Sequence, residues 1–224
     1  VKTGGMDRAN FALADYLARQ GNQVHLVAYR VATDLLNYPN VVFHRVPKFL
    51  NSYLLSSPLL DRSGRYLAKL LGVDRTRVLV NGGNCQWGDI NWVHYVHAAY
   101  KPEIRSGLLG KLKAKMTYQS TLAAEKKALN LANVIIVNSE RTKLDIISRL
   151  DIKPERIQTV YYGIDPTIFY PASAQERVQL RQKLGWPQDK PIIVFIGALG
   201  DRRKGFDTLL SLIHISEPTR LLSI

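Results

Sequence analysis

Residues 134–161 read VIIVNSERTKLDIISRLDIKPERIQTVY, and the order of patterns in this stretch decides the fold. Val134–Val137 is a short apolar strand pattern, Glu140–Leu150 a helical one, and Ile157–Tyr161 a strand again. A strand that returns to a strand through a helix implies two parallel neighbours with the helix on the sheet face. Working back from it, the pattern predicts a helix over Leu108–Leu131 and strands over Asn91–His97, Arg77–Val80, Val41–Val46 and Gln23–Tyr29. It adds a helix over Tyr66–Leu71 and one over Met6–Gln20. In the latter, Ala9, Leu13, Tyr16 and Leu17 share one face, and Gly21-Asn22 supplies a left-handed stop. The fold class is α/β.

Working forward, Ser173-Ala174-Gln175-Glu176 is a capping box that opens a helix ending near Leu184-Gly185. Pro187–Pro191 then leads into Ile192–Ile196, a buried-strand pattern closed by Gly197. A second α/β unit is expected to begin there. A doubly wound domain normally opens with a strand feeding a glycine-rich turn and a helix. Gly4-Gly5-Met6 provides the turn and the helix, so the expectation is a domain that lacks its first strand. At the other end, Leu210–Arg220 (LSLIHISEPTR) is expected to interrupt the amphipathic helix that Phe206–Leu209 begins. That string resembles the conceptual translation of a sequencing-library adapter. The expected division is therefore residues 1–166, a first Rossmann-like domain; 167–209, a linker and the start of a second; and 210–224, read-through that is not natural protein and carries no functional inference.

Composition narrows the classes. The 224 residues hold 31 Lys+Arg against 18 Asp+Glu, a net +13, at ordinary hydrophobic and charged fractions of 46% and 22%. This is not a disordered composition, and no apolar run has the roughly 18 to 20 residues of a membrane span. The beginning has no signal core, and the single Cys85 excludes an internal disulfide and suits a reducing compartment. A cytoplasmic protein is expected. The positive surface attracts phosphates, anionic lipid or nucleic acid, or serves only as a basic solvated surface. No nucleic-acid motif is present, and no nucleic-acid partner is expected.

Three elements carry candidate chemistry. Gly4-Gly5 ahead of a helix lets backbone N–H groups approach a phosphate at the positive end of the helix dipole, or is simply a turn. Arg202-Arg203-Lys204 follows the predicted strand Ile192–Ile196, at the strand end where open α/β sheets bind ligands, or is simply a solvated charge run. His94 and His97 lie three apart, so on one extended strand they face opposite ways and make poor joint metal ligands. His97, at the strand's end, is the cleft candidate; His94 is the core residue.

In this order, Gly-Gly-Met-Asp-Arg-Ala-Asn (4–10), Tyr-Val-His (95–97), Val-Asn-Ser-Glu-Arg-Thr (137–142), Tyr-Gly-Ile-Asp-Pro-Thr-Ile-Phe (162–169) and Phe-Ile-Gly-Ala-Leu-Gly-Asp-Arg-Arg-Lys-Gly-Phe-Asp (195–207) resemble family-4 retaining glycosyltransferases of the GT-B fold. The resemblance implies two facing Rossmann-like domains, the sequence holding an acceptor-side domain and the first strand–loop–helix of a donor domain. It implies that Gly4 and Gly5 close over the donor diphosphate, that His97 lines the reaction centre at the sugar, and that Lys204 neutralises the departing diphosphate. The family's usual arginine after the strand glycine falls at Ala198 here, which leaves Arg202 or Arg203 to compensate. The donor-domain carboxylates are absent, so the chain alone is expected to be inactive. No metal and no cofactor are implied beyond a UDP- or GDP-linked sugar as substrate.

The implied acceptor is a glycan or a lipid. Lys101–Lys127 sets lysines among leucines, a pattern that fits either peripheral contact with anionic membrane at the inner face or the solvated back of a core helix. Phe49–Leu60 fits membrane, acceptor-pocket or core roles equally. Two other classes stay open: a sugar-nucleotide epimerase of the same architecture, and a non-catalytic basic anion-binding protein.

Overall fold

The computed structural model describes residues 4–49, 52–72, 76–100, 107–197, 199 and 204–216. Helix α1 (Gly5–Arg19) ends where Asn22 N–H reaches Leu17 O and Gly21 N–H reaches Ala18 O, the paired bonds of a Schellman stop with Gly21 at φ 79°. Strand β1 (Val24–Ala28) then pairs in parallel with β2 (Val41–Arg45). Helix α2 (Tyr53–Leu71) leads to β3 (Leu79–Asn81) and β4 (Ile90–Val93). Helix α3 (Leu108–Leu131), β5 (Val134–Val137), α4 (Glu140–Leu150) and β6 (Ile157–Thr159) follow. Strands β3-β4-β5-β6 form one wholly parallel sheet in that order. The chain is α/β with parallel sheets and a Rossmann-like construction.

β4 returns to β5 through α3 and β5 to β6 through α4, whereas β3 and β4 are joined by residues 82–89 with only a 3₁₀ turn at Gly82–Asn84. Those helices close the principal core. Val93, Leu129, Ala132, Ile135, Val137 and Ile146 are all fully buried there, with Ile152 and Ile157 nearly so. A smaller core joins Ala14 and Ala18 of α1 to Val24 of β1 and Leu35. The chain divides into two compact units, Val1–Gly163 and Ile164–Ile224. The second unit holds α5 (Ala174–Lys183) and α6 (Phe206–Ser216). The box at α5 forms as its sequence dictates: Ser173 Oγ accepts from Glu176 N–H, and the Glu176 carboxylate accepts from Ser173 N–H.

Four expectations need correction. Ile192–Ile196 is not a strand, because no described segment forms a ladder with it, and an apolar run becomes a strand only by pairing. The Asn91–His97 strand stops at Val93, where its pairing with Val137 of β5 ends; His97–Ala99 is a 3₁₀ turn. The predicted helix Tyr66–Leu71 is the end of the longer α2, which includes Pro58 and most of Phe49–Leu60, and Gly72 at φ 85° stops it. Helix α6 runs unbroken through Leu210 to Ser216, because that stretch has no Gly or Pro to break it.

Candidate functional site

The site is built where the chain leaves β4. Beyond Val93 the backbone turns, and its next free N–H groups are taken by a side chain instead of a neighbouring strand. Glu125, fully buried on α3, accepts the His97 N–H at 2.9 Å and the Ala98 N–H at 3.1 Å. Its Oε1 also lies 2.9 Å from His97 Nδ1. The opposite ring nitrogen, Nε2, is 2.6 Å from the Tyr95 hydroxyl, and Tyr118 donates to the His97 carbonyl at 3.4 Å. The His97 side chain is 30% exposed, so a ligand can reach it while its anchor stays dry. It borders an open surface depression of about 410 Å³ lined by Lys113, Ala114, Thr117, Tyr118 and Thr121 of α3.

Helix α3 is itself pressed into place. The turn Gly82–Asn84 lies so close that a Cβ on Gly83 would stand 2.8 Å from the Glu125 backbone nitrogen. Gln86 Nε2 donates to Ala124 O at 3.0 Å, and Asp61 accepts the Gln86 N–H at 2.7 Å. Only glycine fits that approach.

His94 belongs to a different network. Its Nε2 donates to Asn81 Oδ1 at 2.8 Å, its Nδ1 meets the Tyr162 hydroxyl, and its carbonyl accepts from Asn138 Nδ2 at 3.0 Å. Asn81 in turn donates to Asn10 of α1 at 3.2 Å, and the ring lies 4.8 Å from that of Trp92. Burial depresses the His94 pKa to about 4, against a smaller opposing pull from Asp7, so the ring is neutral near pH 7. Burial likewise raises the Tyr162 pKa. This cluster explains the 137–142 motif: Ser139 caps α4 through Thr142 N–H, while Thr142 Oγ1 donates to Asn138 and so steadies the amide that holds His94.

The other expected site residues are placed as follows. Gly4 and Gly5 stand at the start of α1, neither with positive φ. Among the described residues, a Cβ on Gly5 would meet nothing within 4 Å, and one on Gly4 only Asp7 Oδ2 at 4.0 Å. In the second unit, Lys204 packs beside Gly197: a Cβ there would stand 3.3 Å from Lys204 Cβ and 2.9 Å from Phe195 Cζ. Lys204 thus lies beside the glycine that closes the Ile192–Ile196 run. Arg202, Arg203, Ala198, Lys101 and Arg105 lie outside the described residues. Among the described residues no group of three or more His, Cys, Asp or Glu is placed to hold a metal ion. Cys85 is buried and its thiol is pushed up to about 12, which removes it as a nucleophile.

Glu125 was not a candidate from sequence, although a signal exists. It shares the i, i+3, i+4, i+7 stripe with the buried Ala128, Leu129 and Ala132. An acid on an apolar stripe needs buried donors, and the His97 turn supplies them.

The model of Glycosyltransferase Family 4 matches residues 3–168. D-inositol 3-phosphate glycosyltransferases of Thermobispora bispora and Salinispora tropica are each 26% identical, over 88% of this chain and 49% and 45% of theirs. An alpha-maltose-1-phosphate synthase of Mycolicibacterium smegmatis is 29% identical over 45% of this chain and 26% of its own length. The chain spans about half the length of the relatives it matches most fully.

Proposed function

From the premise that the chain belongs to glycosyltransferase family 4, we propose that its protein transfers a hexose, with retention, from a UDP- or GDP-linked donor to a glycan or lipid acceptor. The observation that carries this reading is His97, part-exposed and held by a buried carboxylate beyond the carboxyl end of a parallel strand. The acceptor hydroxyl attacks the sugar's anomeric carbon from the face that the diphosphate leaves. The carbon–phosphate-oxygen bond breaks as the new glycosidic bond forms, and the departing phosphate takes the hydroxyl proton. The protein's share of such a step is positioning and stabilisation of the leaving charge. The first turn of α1 at Gly4-Gly5, which has no side-chain cap, suits a phosphate, and in the second unit the Lys204 cation by itself suits one too. Lys113 at the depression beside His97 favours an anionic acceptor, in keeping with the phosphorylated compounds in the relatives' names.

Helix α3 also supports contact with an anionic bilayer. Leu112 and Met116 are 57% and 60% exposed and form a stripe between exposed Lys111, Lys113 and Lys115. Among the described residues no helix is long and apolar enough to cross a membrane. The full-length gene product, incubated with UDP- and GDP-hexoses and sugar, cyclitol-phosphate or vesicle-borne acceptors, should yield a product with the donor's anomeric configuration by NMR coupling constants. An inverted product, or donor epimerised without transfer, would refute the reading.

A further inference from the structure

The structure assigns Glu125 as the residue that positions His97, fixing both the turn that carries the ring and the tautomer that the ring presents to a ligand. The inference rests on the reading of His97 as the residue that meets the donor sugar, but its own test does not depend on turnover.

An ionised carboxylate only accepts hydrogen bonds. Glu125 accepts from three groups of one turn: the N–H groups of His97 and Ala98, and His97 Nδ1. Nδ1 must therefore carry the proton, and in the neutral ring Nε2 is left with its lone pair. The Tyr95 hydroxyl at Nε2 consequently donates to it. A sugar hydroxyl that takes the place of Tyr95 meets an acceptor. His97 thus receives a hydrogen bond from the sugar and does not give one, which selects a hydroxyl over an ether or carbonyl oxygen at that position. Gly83 and Gln86 press on the backbone of Ala124 and Glu125 and so fix the stretch of α3 that carries the carboxylate, while full burial confines the side chain itself.

Glu125→Gln keeps the shape and loses this logic. The amide has one accepting oxygen and one donating nitrogen, so it cannot accept from both sides of the turn. With its NH₂ toward Nδ1, it requires the other tautomer.

Imidazole ¹⁵N shifts and two-bond couplings distinguish the tautomers of each of the five histidines, with His97 assigned by its loss in His97→Gln. At alkaline pH, where imidazoles are neutral, the unmodified chain should show His97 wholly as the Nδ1–H form. Glu125→Gln should move a measurable share to Nε2–H while the His94 signals stay in place. His97 found as Nε2–H in the unmodified chain overturns the proposal, whether or not the variant folds. So does an unchanged His97 tautomer in a folded Glu125→Gln chain. In the full-length enzyme, transfer by Glu125→Gln combined with His97→Ala should be no worse than the poorer single variant. If the tautomer moves as expected and transfer does not suffer, the positioning role stands and the reading of His97 at the sugar falls.

Discussion

The strand β5 and the segment Ile192–Gly197 are nearly the same sequence, VIIV against IIVFIG, yet they end in opposite states. Ile135 and Val137 are fully buried, whereas Ile193, Val194 and Ile196 are 73%, 61% and 91% exposed. β5 has a parallel neighbour on each side and helices α3 and α4 closing the core; the later segment has no ladder among the described residues. Apolarity and β-branching make a strand available, and neighbours make it a strand. The same contrast separates two candidate residues, one in each unit. His97 hangs from a packed sheet through a buried carboxylate, whereas Lys204 lies beside an exposed run.

The sharpest way to break this comparison is a matched pair of truncations. Ile135→Ala leaves a cavity in the principal core and should cost about 2–5 kcal/mol in chemical denaturation. Ile196→Ala should change stability by less than about 0.5 kcal/mol. Equal effects would mean that residues 192–197 are buried as a strand in solution.

Lys204 separates charge from packing in the exposed half. In the full-length enzyme, Lys204→Ala should lower kcat roughly a hundredfold, about 3 kcal/mol of transition-state stabilisation, with an unchanged melting profile. A wild-type rate, or a loss that tracks unfolding, would remove the lysine from the chemistry.

The smallest effect belongs to the His94 network. Its folded pKa of about 4 lies below the unfolded value of 6.5, so the unfolded chain binds the proton more readily between them. The contribution to stability is complete above pH 6.5 and is lost as the pH falls toward 4. Urea midpoints over that range should slope less in His94→Gln than in the unmodified chain. An identical slope would place the acid sensitivity elsewhere.

Much of this architecture is readable from sequence, for identifiable reasons. Leu108–Leu131, Val134–Val137 and Glu140–Leu150 fall where their patterns place them, because each long element is bounded by a change of periodicity. The errors occur where partners decide. β4 stops at Val93 because β5 stops at Val137, so His94 and His97 do not share a strand whose alternation would set them on opposite faces. The two rings are distinguished instead by what holds them, a buried carboxylate for one and neutral amides with a tyrosine for the other. Glu125 escapes a reading of sequence because Lys126 and Lys127 disguise it as part of a charged surface. Its role depends on a turn 28 residues away in the chain.

His97, and not His94, is the residue proposed to face the reacting sugar. Transfer kinetics of His97→Ala and His94→Ala in the full-length enzyme, at matched folded fraction, test it directly. His97→Ala should lose turnover while it keeps its fold, and His94→Ala should lose stability while its folded fraction turns over near the normal rate. If His94→Ala abolishes transfer and His97→Ala retains it, the site lies on the amide network at Asn10, Asn81 and Asn138, and the account given for His97 is wrong.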